Sequence, residues 1–243
     1  MNLVTEAHRP KLGNDEREYE DAFYFSGDRN RYAIADGASD SVFSGIWARN
    51  LVKTFVNQET RVAEITEDTL HSLISSSRDS WYRDINWDQL SLFVKNKAVK
   101  GSFSTFLGMD AFRIESKYRI DVVAVGDSCI FFHHDSVLKS FPIDDPSKFG
   151  NTPNLLWSGY GAPFTGEFRW KKPKFSTFSF DLSPGDSIIL ATDALAKWML
   201  ENSETAWDSL MDCGDYLEFF DDLRRKREMR NDDITMAMIT LDS

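Results

Sequence analysis

Two short stretches near the N-terminus, residues 21–25 (DAFYF) and 31–35 (RYAIA), carry the apolar and aromatic runs of strands, and Ser26-Gly27-Asp28 between them is a turn signal. They predict a β-hairpin, preceded by a polar stretch, residues 1–19, that fits a loop or an edge strand. From residue 41 to about 58 the period changes: Phe43, Trp47, Leu51 and Phe55 recur every fourth position, with Ile46 on the same side. An amphipathic helix is expected there, capped by Ser39 or Asp40. A second is expected over 66–83, with Leu70, Leu73, Ile74, Ser77 and Trp81 on one side, and a third over 87–96. Strand patterns return at 103–109, 118–125 and 129–133, the last two joined by Gly126-Asp127-Ser128. They resume at 175–180 and 187–191 around the turn Ser183-Pro184-Gly185-Asp186, and helices are predicted over 194–200 and 204–227 before a closing strand at 234–241. Strand pairs separated by helix pairs argue for an α+β fold of antiparallel sheets with helices packed outside them.

Between these elements, residues 139–173 hold five of the seven prolines and four glycines without a clear period. A long irregular insertion in a compact chain reads as a binding loop or lid. The 243 residues are expected to form one domain, since hydrophobic content of 42%, with 19 Phe and 7 Trp, suffices for a sizeable core. Cys129 and Cys213 lie far apart with no C-x-x-C, so neither a disulfide framework nor a structural zinc site is expected, and both read as buried thiols. No run approaches a membrane span, and the first residues lack the apolar middle of a secretion signal, so a soluble, cytoplasmic protein is expected.

The net charge of −11 disfavours nucleic acid or an acidic membrane as partner and is compatible with divalent cations. One basic cluster, Arg224-Arg225-Lys226-Arg227 with Arg230, runs against the trend and fits the solvated last turn of a helix. His133-His134 points to opposite faces of a strand and cannot easily chelate one metal. Gly159 to Phe164 (GYGAPF) lacks the third glycine and flanking pattern of a dinucleotide site, and no P-loop, kinase motif or nucleophile elbow occurs.

What remains is acid. Glu20-Asp21, Asp36-Gly37, Thr192-Asp193 and Asp232-Asp233 each sit at or beside the end of a strong strand pattern. Each alone fits a solvated turn. Gathered into one pocket, ionised carboxylates would repel, so such a cluster persists only with cations. All-oxygen donors select magnesium, manganese or calcium over zinc, and two such ions roughly 3.5 to 4 Å apart can activate water and grip a phosphoryl group.

The segments EDAF, AIADGAS, GSFSTFLGM, VVAVGDSCIFF, PGDSIILATDALAKW and NDDITMAMI, from about Glu20 to Ile239, stand in the order found in metal-dependent serine/threonine protein phosphatases of type 2C, which the chain therefore resembles. That resemblance implies a four-layer α-β-β-α sandwich of two antiparallel sheets flanked by helix pairs. It implies hydrolysis of phosphoserine or phosphothreonine by water activated between two manganese or magnesium ions, a phosphorylated protein as substrate, a role in signal transduction and a serine/threonine kinase as counterpart. Carried over by residue, Asp36 would bridge both ions, the Gly37 carbonyl and Glu20 would serve one, Asp193 and Asp232 the other, and Asp21 would orient a water. Asp127 would fix the hairpin turn, and residues 139–172 fall where the family carries a variable flap.

The departures are specific. The position of the family's phosphate-holding Arg is Glu16, so Arg17, or failing that Arg9, is the candidate substitute. Ala38 replaces a general-acid His, Lys100 lies where some members place a third-metal Asp, Ala194 follows Asp193, and Asp233 follows Asp232. These losses leave a second reading open, a catalytically weak relative that binds phosphorylated or regulatory partners.

Overall fold

The computed structural model describes residues 2–134, 137–150, 153–159 and 174–242. The chain opens on β1 (Asn2–Arg9), β2 (Ala22–Ser26) and β3 (Arg31–Ala35), followed by α1 (Ser44–Asn57), α2 (Glu67–Asp84) and α3 (Leu92–Ala98). The strands β4 (Phe103–Ser104), β5 (Phe106–Ile114), β6 (Lys117–Val125), β7 (Cys129–His134), β8 (Val137–Phe141) and β9 (Leu156–Trp157) come next. Then follow β10 (Ser176–Leu182), β11 (Ser187–Ala191), α4 (Asp193–Glu201), α5 (Ala206–Met211), α6 (Tyr216–Arg225) and β12 (Ile234–Thr240).

Two five-stranded antiparallel sheets form, ordered β1-β12-β11-β7-β8 and β10-β6-β5-β3-β2. Their inner faces meet through Tyr32, Ile34, Leu107, Met109, Ile120 and Val122 on one side and Ile130, Ile188, Leu190 and Ile239 on the other. The alternate residues of the second sheet, among them Ala33, Phe106, Val123 and Val125, are covered by Trp47, Leu51 and Phe55 of α1 and by Leu70, Leu73 and Trp81 of α2. On the far side Phe131, Ile189, Met236 and Met238 lie under Leu195, Trp198, Leu210, Phe220 and Leu223 of α4–α6. The expected α-β-β-α sandwich is therefore the fold. Being covered on both faces is why strands such as β3, whose five residues are all buried, read as continuous apolar runs rather than alternating ones.

Boundaries moved where local chemistry competed with periodicity. Neither Ser39 nor Asp40 caps α1, which starts at Ser44 behind Phe43 in the left-handed region (φ 65°). The preceding residues are used elsewhere: the Ser41 amide closes a turn onto the Ala38 carbonyl, and the Ser41 hydroxyl accepts from the Phe103 amide. The expected helix over 87–96 divides into a 3₁₀ turn, Trp87–Gln89, and α3 behind a Ser91 cap. The one expected over 204–227 breaks at Cys213-Gly214, where Asp215 caps α6 by accepting from the Leu217 and Glu218 amides. The polar N-terminal stretch contains the edge strand beside β12, and Cys213 is only half-buried. Within the irregular segment, residues 151–152 and 160–173, and with them most of GYGAPF, lie outside the described residues. No described helix is long and apolar enough to cross a membrane.

The basic cluster is not all solvated. The side chain of Arg224 is 0% exposed and donates to the carbonyls of Pro10 (2.8 Å), Arg9 (3.1 Å) and Asp232 (2.5 Å). One guanidinium thus ties the exit of β1 to the loop before β12. Arg224→Met is expected to remove the donor of one buried and two part-buried carbonyls and to cost about 3 kcal/mol of unfolding free energy, measured by denaturant titration.

Candidate functional site

Strand register brings the acids together. In the β2–β3 hairpin Ala22 pairs with Ala35, so Asp21 and Asp36 flank the same open end. In the other sheet Ala191 pairs with both Met236 and Cys129, which sets Asp193, the Asp232-Asp233 pair and Asp127 at one end. Because Arg9 pairs with Ile234, continuing that register places Lys11 opposite Asp232. The two ends are stitched across the sandwich: the Thr235 hydroxyl donates to Asp21 (2.9 Å), and Asp233 accepts from the backbone amides of Glu20 (2.8 Å) and Lys11 (2.9 Å).

Asp36 is fixed by its backbone rather than by its carboxylate. Its amide donates to the Thr105 hydroxyl (2.9 Å), and its carbonyl accepts from the Thr105 amide (2.9 Å) and the Ser104 hydroxyl (2.8 Å). At Gly37 a side chain has no room: an added Cβ would lie 2.6 Å from the Glu20 carbonyl oxygen and 2.8 Å from the Ser44 carbonyl carbon, so glycine is what lets the strand exit pass between β2 and α1. Ser44 donates to Glu20 (2.5 Å), orienting that carboxylate toward the cleft.

The electrostatics record the convergence. Desolvation, then the charges of Asp21, Asp193, Asp127 and Asp232, push the Asp36 carboxyl well above the ordinary carboxylate range. Asp21, 1% exposed, is driven up by burial and then by Asp233, against the hydroxyls of Thr192 and Thr235, and its Oδ1 has no hydrogen-bond partner. Burial, then Asp193, lifts Asp127 to about 7, and its Oδ1 is also unpaired. Desolvation and Asp232 raise Asp193, with Arg230 and Lys11 pulling the other way.

Of the residues picked out by sequence, Glu20, Asp21, Asp36, Gly37, Asp193 and Asp232 gather at this end of the sandwich. Arg17 does not join them: its side chain is 89% exposed and pairs with Asp15 at 2.6 Å. Arg9 is likewise engaged elsewhere, on Asp221 at 2.6 Å. Three residues were missed. Asp127, expected only to fix its hairpin, is buried and feels the charges of Asp193 and Asp232. Lys11 reaches Asp232 at 3.0 Å and Glu20 at 3.7 Å. Arg230 bridges Asp193 (3.0 Å) and Asp232 (2.5 Å). Nothing local marks Lys11, whose place depends on pairing with β12 more than 220 positions away; Arg230 could have been found from its nearness to Asp232.

Among the described residues no group of three or more acidic, histidine or cysteine side chains is drawn up to hold an ion. Two protein cations, Lys11 and Arg230, stand between the outer carboxylates. The donors themselves suit a hard divalent ion: every one is oxygen, the Asp21 Oδ1 is orphaned, and the Asp36 carboxyl is squeezed by like charges.

The sequence model of the protein phosphatase 2C family matches residues 14–232, and the chain belongs to that family. No curated protein sequence matches it. The Mycobacterium tuberculosis serine/threonine phosphatase PstP has a similar structure, with a TM-score of 0.62 at 14% identity, covering 98% of this chain and 98% of that one. The catalytic domain of PstP in complex with two manganese ions gives 0.58 at 14%, covering 99% of each chain. The serine/threonine phosphatase of Staphylococcus aureus gives 0.62 at 14%, covering all of this chain and 96% of that one. The likeness is one of fold.

Proposed function

We propose that the chain is a metal-dependent phosphoprotein phosphatase that hydrolyses phosphoserine or phosphothreonine. The observation that carries this reading is the position of Asp36, fixed by three backbone hydrogen bonds and facing four other aspartates whose fields all raise its proton affinity. A carboxylate so placed is stable only with added positive charge beside it. A pair of manganese or magnesium ions would supply that charge, activate a water and neutralise the phosphoryl oxygens. Asp36 would touch both ions, Glu20 and the Gly37 carbonyl one of them, Asp193 and Asp232 the other. Asp21, anchored by Thr235, would hold and orient a water through its free oxygen. The manganese complex of PstP, a relative in fold, supports the choice of ion. The segment over 139–173 would meet the protein substrate.

A second reading, a binding domain with little turnover, is favoured by one observation: Arg230 and Lys11 already occupy Asp193 and Asp232. Hydrolysis of p-nitrophenyl phosphate and of a phosphothreonine peptide with added manganese separates the two. Turnover that depends on manganese and disappears in Asp36→Asn is the expected result; manganese binding with no turnover on either substrate selects the second reading.

A further inference from the structure

Five outer oxygens of the acid cluster are already taken by the chain itself. Asp232 gives Oδ1 to Lys11 and Oδ2 to Arg230. Asp193 gives Oδ2 to Arg230, and Glu20 gives Oε1 to Ser44 and Oε2 to Lys11. Among the described residues the inner oxygens, the Asp21 Oδ1 and the Asp127 Oδ1, have no such partner, and Asp36 is held through its backbone. The Lys11 ammonium therefore joins Glu20 to Asp232, two carboxylates that the proposed function assigns to different ions. Its backbone is tethered: the Lys11 amide donates to Asp233 and the Leu12 amide to Asn231, so the chain cannot back away. The side chain can, because its terminal amine also reaches the exposed Ser39 hydroxyl (2.5 Å).

We infer that Lys11 is a built-in counter-ion that must be exchanged for a divalent ion, so that it sets the site's affinity for metal. This inference rests on the metal reading of the proposed function. An ammonium and a divalent cation cannot share the same carboxylate oxygens, because at roughly 4 Å their repulsion works against the attraction each has for the acid. Binding is then a competition, and apparent affinity falls by the fraction of molecules in which Lys11 holds the place. Lys11 is the better candidate for the competitor than Arg230. The Lys11 side chain is 21% exposed against 61% for Arg230, so its charge is less screened, and it alone spans Glu20 and Asp232.

The test uses the full chain and manganese as the probe. Titration calorimetry of Lys11→Met, which keeps the aliphatic stem, is expected to show manganese bound about ten-fold more tightly than by the native chain, while Lys11→Arg binds as the native chain does. Without ions Lys11→Met is expected to melt at a lower temperature, and manganese should restore more of its stability than it does for the native chain. A measurement on the native chain removes any dependence on how the variants fold: acetylation of Lys11, followed by mass spectrometry, should rise several-fold when saturating manganese frees the amine. Equal affinities for Lys11→Met and the native chain, or Lys11 acetylation that manganese leaves unchanged or lowers, overturn the exchange while leaving the metal reading intact. Absence of manganese binding in both chains overturns the metal reading itself and the exchange with it.

Discussion

Asp36→Asn is expected to remove manganese-dependent phosphatase activity by a hundred- to thousand-fold or more and, at the same time, to make the ion-free protein more stable. The two effects have one cause. Asp36 is held above the ordinary carboxylate range by desolvation and by Asp21, Asp193, Asp127 and Asp232 acting in the same direction. In the ion-free chain that crowding opposes folding at neutral pH, because the charged form is favoured far more in the unfolded chain. An amide of the same shape carries no charge to repel, and the hydrogen bonds that locate residue 36 come from its backbone and survive the substitution. Catalysis needs the opposite property. Loss of one preorganised group that stabilises the reacting centre typically costs roughly 10² to 10³ in rate, and a carboxylate proposed to touch both ions should cost at least that. Paired measurements of initial rate and melting temperature check the claim. A variant that loses activity together with stability would show that Asp36 is merely structural, and one that keeps its activity would remove Asp36 from the proposed chemistry.

The sandwich was legible because its strands are buried on both faces and its helices carry a clear period, so burial and pattern agree over β3, α1, α2 and β12. The six acid and glycine positions were legible for a simpler reason: each lies within a residue or two of a strand end, and antiparallel pairing lays such ends side by side. Charge partnership was not legible. Arg17 was the nearest arginine in sequence to the position the family uses, yet Asp15, two residues away, captures it on the surface. Lys11 lies only six positions from Arg17 but on the far side of a register that no local pattern encodes. Arg224 and Arg230 looked like one solvated run; the first is buried among carbonyls and the second crosses to α4 because the chain reverses between them, with Arg227 at φ 62°. Helix starts failed similarly at α1, where Ser41 is claimed by a neighbouring turn and strand and cannot cap.

Without divalent ions, the stability of the native chain is expected to fall as pH rises from about 4 to 8, and manganese is expected to reverse that slope. Asp127 gives the window. Its carboxyl titrates near 7 in the folded chain against an ordinary value of 3.8. Between those values the folded protein holds a proton that the unfolded chain has released, so stability is greatest below about 4 and is lost as pH climbs toward 7. At about 1.4 kcal/mol per pH unit the accumulated loss is roughly 4 kcal/mol, with Asp21, Asp36 and Asp193 contributing in the same direction. Asp221, held below the usual range by Arg9, has the opposite sign, but its contribution is lost only as pH falls below about 4, outside this window. The separating variant is Asp127→Asn, which should flatten much of the slope and exceed the native ion-free protein in stability by about 4 kcal/mol at pH 8 but by only about 1.5 kcal/mol at pH 5. Chemical unfolding at pH 5, 6.5 and 8, with manganese and with a chelator, measures all of this. An ion-free chain that grows more stable toward pH 8 would mean that the acids are already balanced by Lys11 and Arg230, and that the cluster has no charge deficit left for divalent ions to fill.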